Sequence, residues 1–420
     1  MRNKSPEDTT SNIRLLISGP YPPPFGGISS LIKSLTEGLK DKGIDQIYIL
    51  YFGEKNQVRE VDGAIVYEYS LIRNLWRLFI PKNWYFIFYL PKIFSGNNLS
   101  FRDYVKIYLK TVITNDLVNK HKINTTSYHQ SENSFHILLL KRIWGKTRSI
   151  ILNVYGEIYD VPDYLLPRKE LILEMLKQCD AVISSSCHCA NSFEEIGNSR
   201  EINVVYVGVS LSRFNDRESL RNTYRKEIGI DHSTVLLLFM GRFNKEMGLN
   251  SILEISPELF QHETNFHLIC AGASGPLDNK ASEFKERFLN NLTVMNNIPF
   301  DMQPSLYAAA DIVLTPSRDK HACMGVSIKE AMAARVPVIA SNSGGIPEAI
   351  IDKECGVIVP LLENGENDLV NLKNEVISLS EDAARREMYA KNARKRAEDI
   401  FSEEATIEKT YQIFRDNVPN

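Results

Sequence analysis

The chain has 420 residues, a formal net charge of −3, 43% hydrophobic and 24% charged residues. At roughly 100–200 residues per domain, that length makes two to four domains of ordinary globular composition and excludes general disorder. The near-neutral balance also excludes a dedicated nucleic-acid binder, whose domain would be strongly basic. One window departs from the average. Leu71 to Lys110 holds 11 of the 40 aromatics and seven Lys/Arg against the single acid Asp103, a local charge of +6.

Short β-branched runs alternate with helical patterns from end to end. Strands are predicted at Ile13–Ser18, Gln46–Phe52, Ala64–Tyr69, Thr125–His129, Ser149–Tyr155, Ala181–Ser185 and Asn203–Val207. A second series falls at Thr234–Met240, Phe266–Ala271, Leu292–Asn296, Asp311–Thr315, Val336–Ala340 and Gly356–Val359. Helices such as Ile28–Lys42 and Leu249–Phe260 lie between them, so the fold class is α/β with parallel sheets and right-handed crossovers. Thirteen strands exceed one sheet of usual size. The polar, strandless segment Ser210–Asp231 separates the series and places a junction near 208–216. The expected domains are 1–210, with an insertion at 71–110, then 211–400, then a last helix in 401–420. Each half is a doubly wound Rossmann-like domain, whose ligands bind beyond the carboxyl ends of the strands. In the last helix Ser402 is the N-cap, and Ile407, Tyr411 and Phe414 form an apolar stripe that needs a dock.

The six cysteines are too few for a disulfide scaffold, and the spacing of Cys187-His188-Cys189 is not that of a zinc site; these read as ordinary residues at a strand end. The polar start, Met1–Asn12, is not a secretory signal, and no run reaches the ~18 apolar residues of a transmembrane helix. The expected compartment is the cytoplasm.

Four loops carry residues suited to chemistry. In Pro22-Pro23-Pro24-Phe25-Gly26-Gly27-Ile28, Gly26 and Gly27 let backbone N–H groups approach an anion before a helix. In Gly241-Arg242-Phe243-Asn244-Lys245, Arg242 can fork onto phosphate oxygens and Lys245 adds a point charge. After Pro316-Ser317, a helix starting around Gly325 offers the N–H groups of Gly325, Val326 and Ser327, and Glu330 is a carboxylate in an otherwise buried run. A ribose diol would partner Glu330, and a neighbouring cation would do so equally well. The fourth loop, Ser341-Asn342-Ser343-Gly344-Gly345, again opens the backbone through Gly344 and Gly345. Beyond the fourth strand of the first series, His129, Glu132 and His136 are acceptor-side candidates, as are Glu157 and Asp160 after Tyr155.

Taken together, Phe25-Gly26-Gly27, Gly241-Arg242-Phe243, Tyr307-Ala308-Ala309-Ala310-Asp311, Pro316-Ser317, Glu330-Ala331-Met332-Ala333 and Gly344-Gly345-Ile346-Pro347-Glu348 resemble, in order, a GT-B glycosyltransferase of retaining family 4, the glycosyl transferases group 1. The resemblance implies two Rossmann-like domains facing across a cleft, a nucleotide-sugar donor on the C-terminal one, an acceptor on the N-terminal one, and a last helix crossing back. It implies no metal or other cofactor. Glu330 would hold the ribose, and Gly26, Gly27, Arg242, Lys245, Gly325, Val326, Ser327, Gly344 and Gly345 the rest of the donor. His129, Glu132 and Glu157 would face the acceptor.

Three positions depart from the family pattern. A glutamate eight positions before Glu330 falls on Ala322, a Lys before the diphosphate-loop glycine falls on Met247, and a His falls on Tyr155. Either the site is re-wired, with His321 or Asp319 near the donor sugar, Lys245 at the phosphates and Tyr155 as a polar lid, or turnover is lost and only binding remains. The expected activity is a retaining hexosyltransferase with Arg242, Glu330, Tyr155 and His321 as its catalytic set. The alternatives are a non-catalytic nucleotide-sugar-binding partner and a GT-B sugar-nucleotide epimerase. Trp76, Phe79, Trp84, Tyr85, Phe86, Phe88 and Tyr89 beside Arg73, Arg77, Lys82 and Lys92 suit an anionic membrane surface, with core packing as the competing reading. The expected acceptor is then a glycan or lipid-linked glycan in cell-surface synthesis, at the inner face of the plasma membrane.

Overall fold

In β1 (Arg14–Ser18), Leu15 and Ile17 enter one apolar layer and Leu16 another, so the sheet is covered on both faces. β2 (Gln46–Tyr51) repeats this, with Ile47 and Ile49 beside Leu15 and Leu50 beside Leu16. The structure is a computed structural model that describes residues 12–22, 27–319 and 323–419. It comprises two units: the chain up to Val207 together with Thr406 onward, and Gly208–Ala405. The boundary thus lies at 207/208, where the sequence placed it at 210/211.

The first unit adds β3 (Gln57–Val61), β4 (Ala64–Glu68), β5 (Thr125–His129), β6 (Ser149–Val154), β7 (Ala181–Ser184) and β8 (Asn203–Val204). Its sheet order is β3-β4-β2-β1-β5-β6-β7-β8. All neighbours are parallel except β3, which pairs antiparallel with β4 through Asp62-Gly63. Both turn residues have positive φ, 52° and 70°, as a two-residue primed turn requires. The strand reading missed β3, whose polar, largely exposed residues Gln57, Arg59 and Glu60 hide an edge strand.

The second unit's sheet, in order β11-β10-β9-β12-β13-β14, is parallel throughout. Its strands are β9 (Val235–Met240), β10 (Phe266–Gly272), β11 (Leu292–Asn296), β12 (Ile312–Thr315), β13 (Val338–Ser341) and β14 (Gly356–Val359). Asp311 precedes β12 instead of starting it. Its carboxylate receives Arg221 at 2.6 Å, Arg225 at 3.1 Å and the Leu236 amide at 2.8 Å. The two arginines, on the helix Arg217–Glu227, also donate to Ala309 O at the end of the helix Gln303–Ala309. Cys187, His188 and Cys189, expected at a strand end, open the helix Cys187–Glu195, where Ser186 Oγ accepts from the Cys189 amide.

The 71–110 window divides its aromatics between core and surface. In the helix Tyr85–Phe94, Phe86, Leu90 and Phe94 recur every four residues and join the core layer of Leu16. Phe86 is therefore a packing residue, against the surface role expected for it, and Tyr89 is half-buried. Trp76, Phe79, Trp84, Tyr85 and Phe88 are exposed. Arg77 is held by Asp116, while Arg73, Lys82 and Lys92 remain at the surface.

The last helix, Glu403–Asp416, starts with Ser402 Oγ accepting from the Ala405 amide at 3.1 Å. Its Ile407, Tyr411 and Phe414 enter the apolar layer of Ile13, Leu35 and Leu39 in the first unit. Phe414→Ala is expected to cost that unit about 3–5 kcal/mol, seen as a lower urea midpoint at unchanged m value. A loss below about 1 kcal/mol would mean the helix adds little to the core.

Candidate active site

Each sheet reverses its strand order once, and a reversal separates two neighbouring loops into a ligand-sized crevice. In the second unit the chain runs from β9 outwards to β10 and β11, then returns on the other side as β12. The loops after β9, β12 and β13 carry Arg242 and Lys245, then Gly325 with Val326 and Ser327 opening the helix behind it, then Gly344 and Gly345, all at the carboxyl edge. Glu330 follows in the helix Val326–Ala333. His321 and Ala322 lie outside the described residues.

Two glycines let these loops touch. Gly248 has φ of 83°, and a Cβ there would sit 2.0 Å from Pro316 O. A Cβ on Gly345 would sit 1.5 Å from Cys323 O. Between the loops, buried Asn367 donates to Pro316 O and Ser251 Oγ, both at 2.9 Å, and accepts from Ser341 Oγ at 2.6 Å. One amide thus ties the ends of β12 and β13 together, a link with no local sequence signal. Arg242 and Lys245 are exposed, whereas Met247 packs on the unit's core and donates its amide to Asn244 Oδ1 at 2.9 Å. The departure at Met247 therefore has a packing reason.

Glu330 is 6% exposed. Its Oε2 accepts from Tyr307 Oη at 2.9 Å, and its Oε1 lies 3.8 Å from Arg213 Nη1, beyond hydrogen-bond reach. Arg213 stacks on Phe300 at 3.6 Å. Burial raises the Glu330 carboxyl, against the pull of Tyr307 and Arg213. Of the two partners foreseen for this carboxylate, the cation is present in Arg213, joined by the phenol of Tyr307. Neighbouring Lys329 is also buried, and desolvation lowers its ammonium to about 8, a residue the motif reading passed over.

In the first unit the reversal falls between β1 and β5. Gly27 begins the helix Gly27–Asp41 after β1; Gly26 lies outside the described residues. His129 ends β5, and its Nδ1 is 2.6 Å from Tyr155 Oη with the rings stacked. Burial drives His129 down to about 3 and the Tyr155 phenol well above its ordinary value. Neither group therefore changes charge near neutral pH. Glu157 is committed to the backbone: its oxygens accept from the Tyr155 amide at 2.8 Å and the Ser131 amide at 2.9 Å. This makes Glu157 a brace between the loops after β5 and β6, against the acceptor contact expected of it. Of the acceptor-side candidates, Glu132 and His136 line a cavity together.

Burial, then the charge of Glu132, pushes the Glu157 carboxyl up to about 7 against its two amide donors. A raised folded-state pKa means the folded chain binds this proton more tightly than the unfolded one. The resulting stability is present below the ordinary carboxylate range and is lost as pH rises towards 7. Melting curves between pH 4.5 and 7.5 are expected to show this loss, and Glu157→Gln to remove that part of the slope. An unchanged slope would show that Glu157 ionises normally.

Residues 221–396 match the family model described as Glycosyl transferases group 1. The chain is similar to spore coat protein SA of Bacillus subtilis strain 168, 26% identical over 281 residues, covering 64% of this chain and 72% of that protein. It is 33% identical over 170 residues to a D-inositol 3-phosphate glycosyltransferase of Corynebacterium glutamicum, covering 38% of this chain and 39% of that protein. It therefore spans about two-fifths of that relative. Among solved structures, Anabaena Alr3699/HepE in complex with UDP aligns with a TM-score of 0.70 at 14% identity, covering 95% of this chain and 98% of that one. The chain has the GT-B fold, and residues 221–396, within its second unit, match the glycosyl transferases group 1 model.

Proposed function

We propose that the chain is a family 4 glycosyltransferase that moves a hexosyl group, with retention, from a nucleotide sugar to a glycan or lipid-linked acceptor. The observation carrying this reading is the convergence of Arg242, the amides after Gly325 and the buried Glu330 at the β9/β12 reversal of a group 1 domain. The UDP held by the HepE neighbour supports a nucleoside diphosphate as the ligand class. Glu330 Oε1 accepts from the ribose, and Arg242 with the amides after Gly325 neutralises the leaving diphosphate. Lys245 adds charge, and no divalent metal is needed.

The bond from the anomeric carbon to the phosphate oxygen breaks, and the acceptor oxygen bonds to the same face. The departing phosphate oxygen takes the acceptor proton, since among the described residues no side chain suits a covalent nucleophile. In the sequence His321 adjoins Ala322, the position of the family's first glutamate, and would take over that glutamate's role. A second reading, a binding partner without turnover, is favoured by Tyr155, whose pinned phenol cannot exchange a proton near neutral pH.

The exposed rings of Trp76, Phe79, Trp84, Tyr85 and Phe88, with Arg73, Lys82 and Lys92, support binding to an anionic membrane. Among the described residues no helix is long and apolar enough to cross one. A peripheral site on the inner leaflet would bring a lipid-linked acceptor to the first unit.

A donor screen reading released nucleotide from UDP-, GDP- and ADP-sugars, with and without lipid-linked glycans, tests the activity. Release that requires acceptor is expected; none from any donor favours the binding partner. Arg242→Ala and Glu330→Ala should each lower transfer by about 10²-fold. Unchanged transfer would overturn the site. Flotation should recover the chain with anionic vesicles and lose it in the Trp76→Ser/Phe79→Ser/Phe88→Ser triple variant. Equal recovery with neutral vesicles, or none, would sink the membrane reading.

A further inference from the structure

The turn Leu211–Phe214, near the start of the second unit, brings two adjacent side chains to one carboxylate. Buried Phe214 packs edge-on against the Tyr307 ring, with centroids 5.8 Å apart and planes at 80°. Tyr307 Oη in turn donates to Glu330 Oε2 at 2.9 Å. Arg213, the preceding residue, places Nη1 3.8 Å from Glu330 Oε1. One short turn thus acts on both oxygens, on Oε2 through a phenol and on Oε1 through a cation.

Arg213 is held in place independently of Glu330. Its guanidinium lies 3.6 Å over the Phe300 ring, and Nη2 donates to Phe300 O at 2.9 Å and Gln303 Oε1 at 3.3 Å. Stacking and two hydrogen bonds from the turn and helix that follow β11 fix the planar fork. Phe300 is 61% exposed, an apolar ring kept at the surface to back that guanidinium.

The other charged groups around Glu330 do not replace this cation. Lys329 is its neighbour on the helix Val326–Ala333, where successive side chains point apart, and burial lowers its ammonium to about 8. On the helix Ala383–Ile400, which packs on the same helix, Arg394 donates to Ala333 O and to Glu398 Oε1, both at 2.6 Å. β12 and β13 bring no charged residue. Burial raises the Glu330 carboxyl, and Tyr307 and Arg213 oppose that rise. With Oε2 already receiving a phenol, an added proton settles on Oε1. That oxygen would then donate where a carboxylate accepts, and its charge-assisted bonds, about twice as strong as neutral ones, would be lost.

We infer that Arg213 is a positioning residue: it keeps Glu330 an ionised acceptor at neutral pH, so that ribose hydroxyls meet a carboxylate and not an acid. The link to ribose rests on the nucleotide reading above; the pairing of Arg213 with Glu330 does not, and the two are tested apart. Both measurements use the full chain and Arg213→Met, which keeps an apolar contact with Phe300 and removes the charge. Carbon-13 NMR of the glutamate carboxyls, with the Glu330 signal assigned by its loss in Glu330→Gln, follows ionisation without nucleotide. The Glu330 midpoint should rise by about one pH unit in Arg213→Met, tenfold in proton affinity, and return part-way in Arg213→Lys. Arg213→Gln keeps a donor for Phe300 O and serves if Arg213→Met unfolds. Calorimetry with UDP, GDP and ADP between pH 6 and 8.5 reads the consequence. For whichever nucleotide binds, Arg213→Met should weaken binding about tenfold at pH 6 and progressively less towards pH 8.5. An unmoved midpoint in both uncharged variants, or an affinity loss equal at every pH, would overturn the role. A raised midpoint with no nucleotide bound by the unaltered chain would leave the pairing standing and remove the nucleotide reading. Nucleotide binding with an unmoved midpoint would do the reverse.

Discussion

Parallel pairing of β9 with β10 on one side and β12 on the other is the constraint from which the donor-side chemistry follows. Loops leaving neighbouring strands of a continuous run turn the same way, whereas at a reversal they part and leave backbone amides uncovered. Arg242 stands on one side of that parting and Gly325 on the other. The cost of bringing such loops close is met by Gly248 against Pro316 and Gly345 against Cys323, and by the buried amide of Asn367. The side chains that would hold an anion therefore stay free of structural duty, which other residues perform.

Three buried or half-buried carboxylates illustrate how the surroundings allot roles. Glu157 has both oxygens taken by backbone amides and acts as a brace. Glu330 has one oxygen taken by a phenol and the other left beyond reach of its cation. Glu132 has one oxygen on a neighbouring amide and one with no partner at all. Desolvation raises all three, so the shift itself does not separate structure from function. The count of unmet hydrogen bonds does.

Much of this was legible in the residues. Continuous apolar runs such as Val235–Met240 announce two-sided burial, and the glycine-bearing loops at their ends announce close backbone approach, which Gly248 makes to Pro316 and Gly345 to Cys323. The Ile407, Tyr411 and Phe414 stripe announced a helix needing a dock, which the layer of Leu35 and Leu39 provides. Long-range pairings were not legible. Nothing near Tyr307 or Arg213 marks them as the supports of Glu330, nor Asn367 as the tie between loops, because these contacts form only once the sheet is assembled. The edge strand β3 was missed although Asp62-Gly63 carried its turn signal, since its polar residues lack the apolar alternation used to find the others. Phe86 and Phe88 look alike in sequence; helical phase alone puts the first in the core and the second at the surface.

The central claim is that the β9/β12 reversal is where a nucleotide sits. Amide hydrogen exchange of the full chain, with and without UDP, GDP or ADP, reads this residue by residue. At least one nucleotide is predicted to slow exchange in 241–248 and 325–330 together. Slowing confined to other segments, or none with any of the three, would contradict the account.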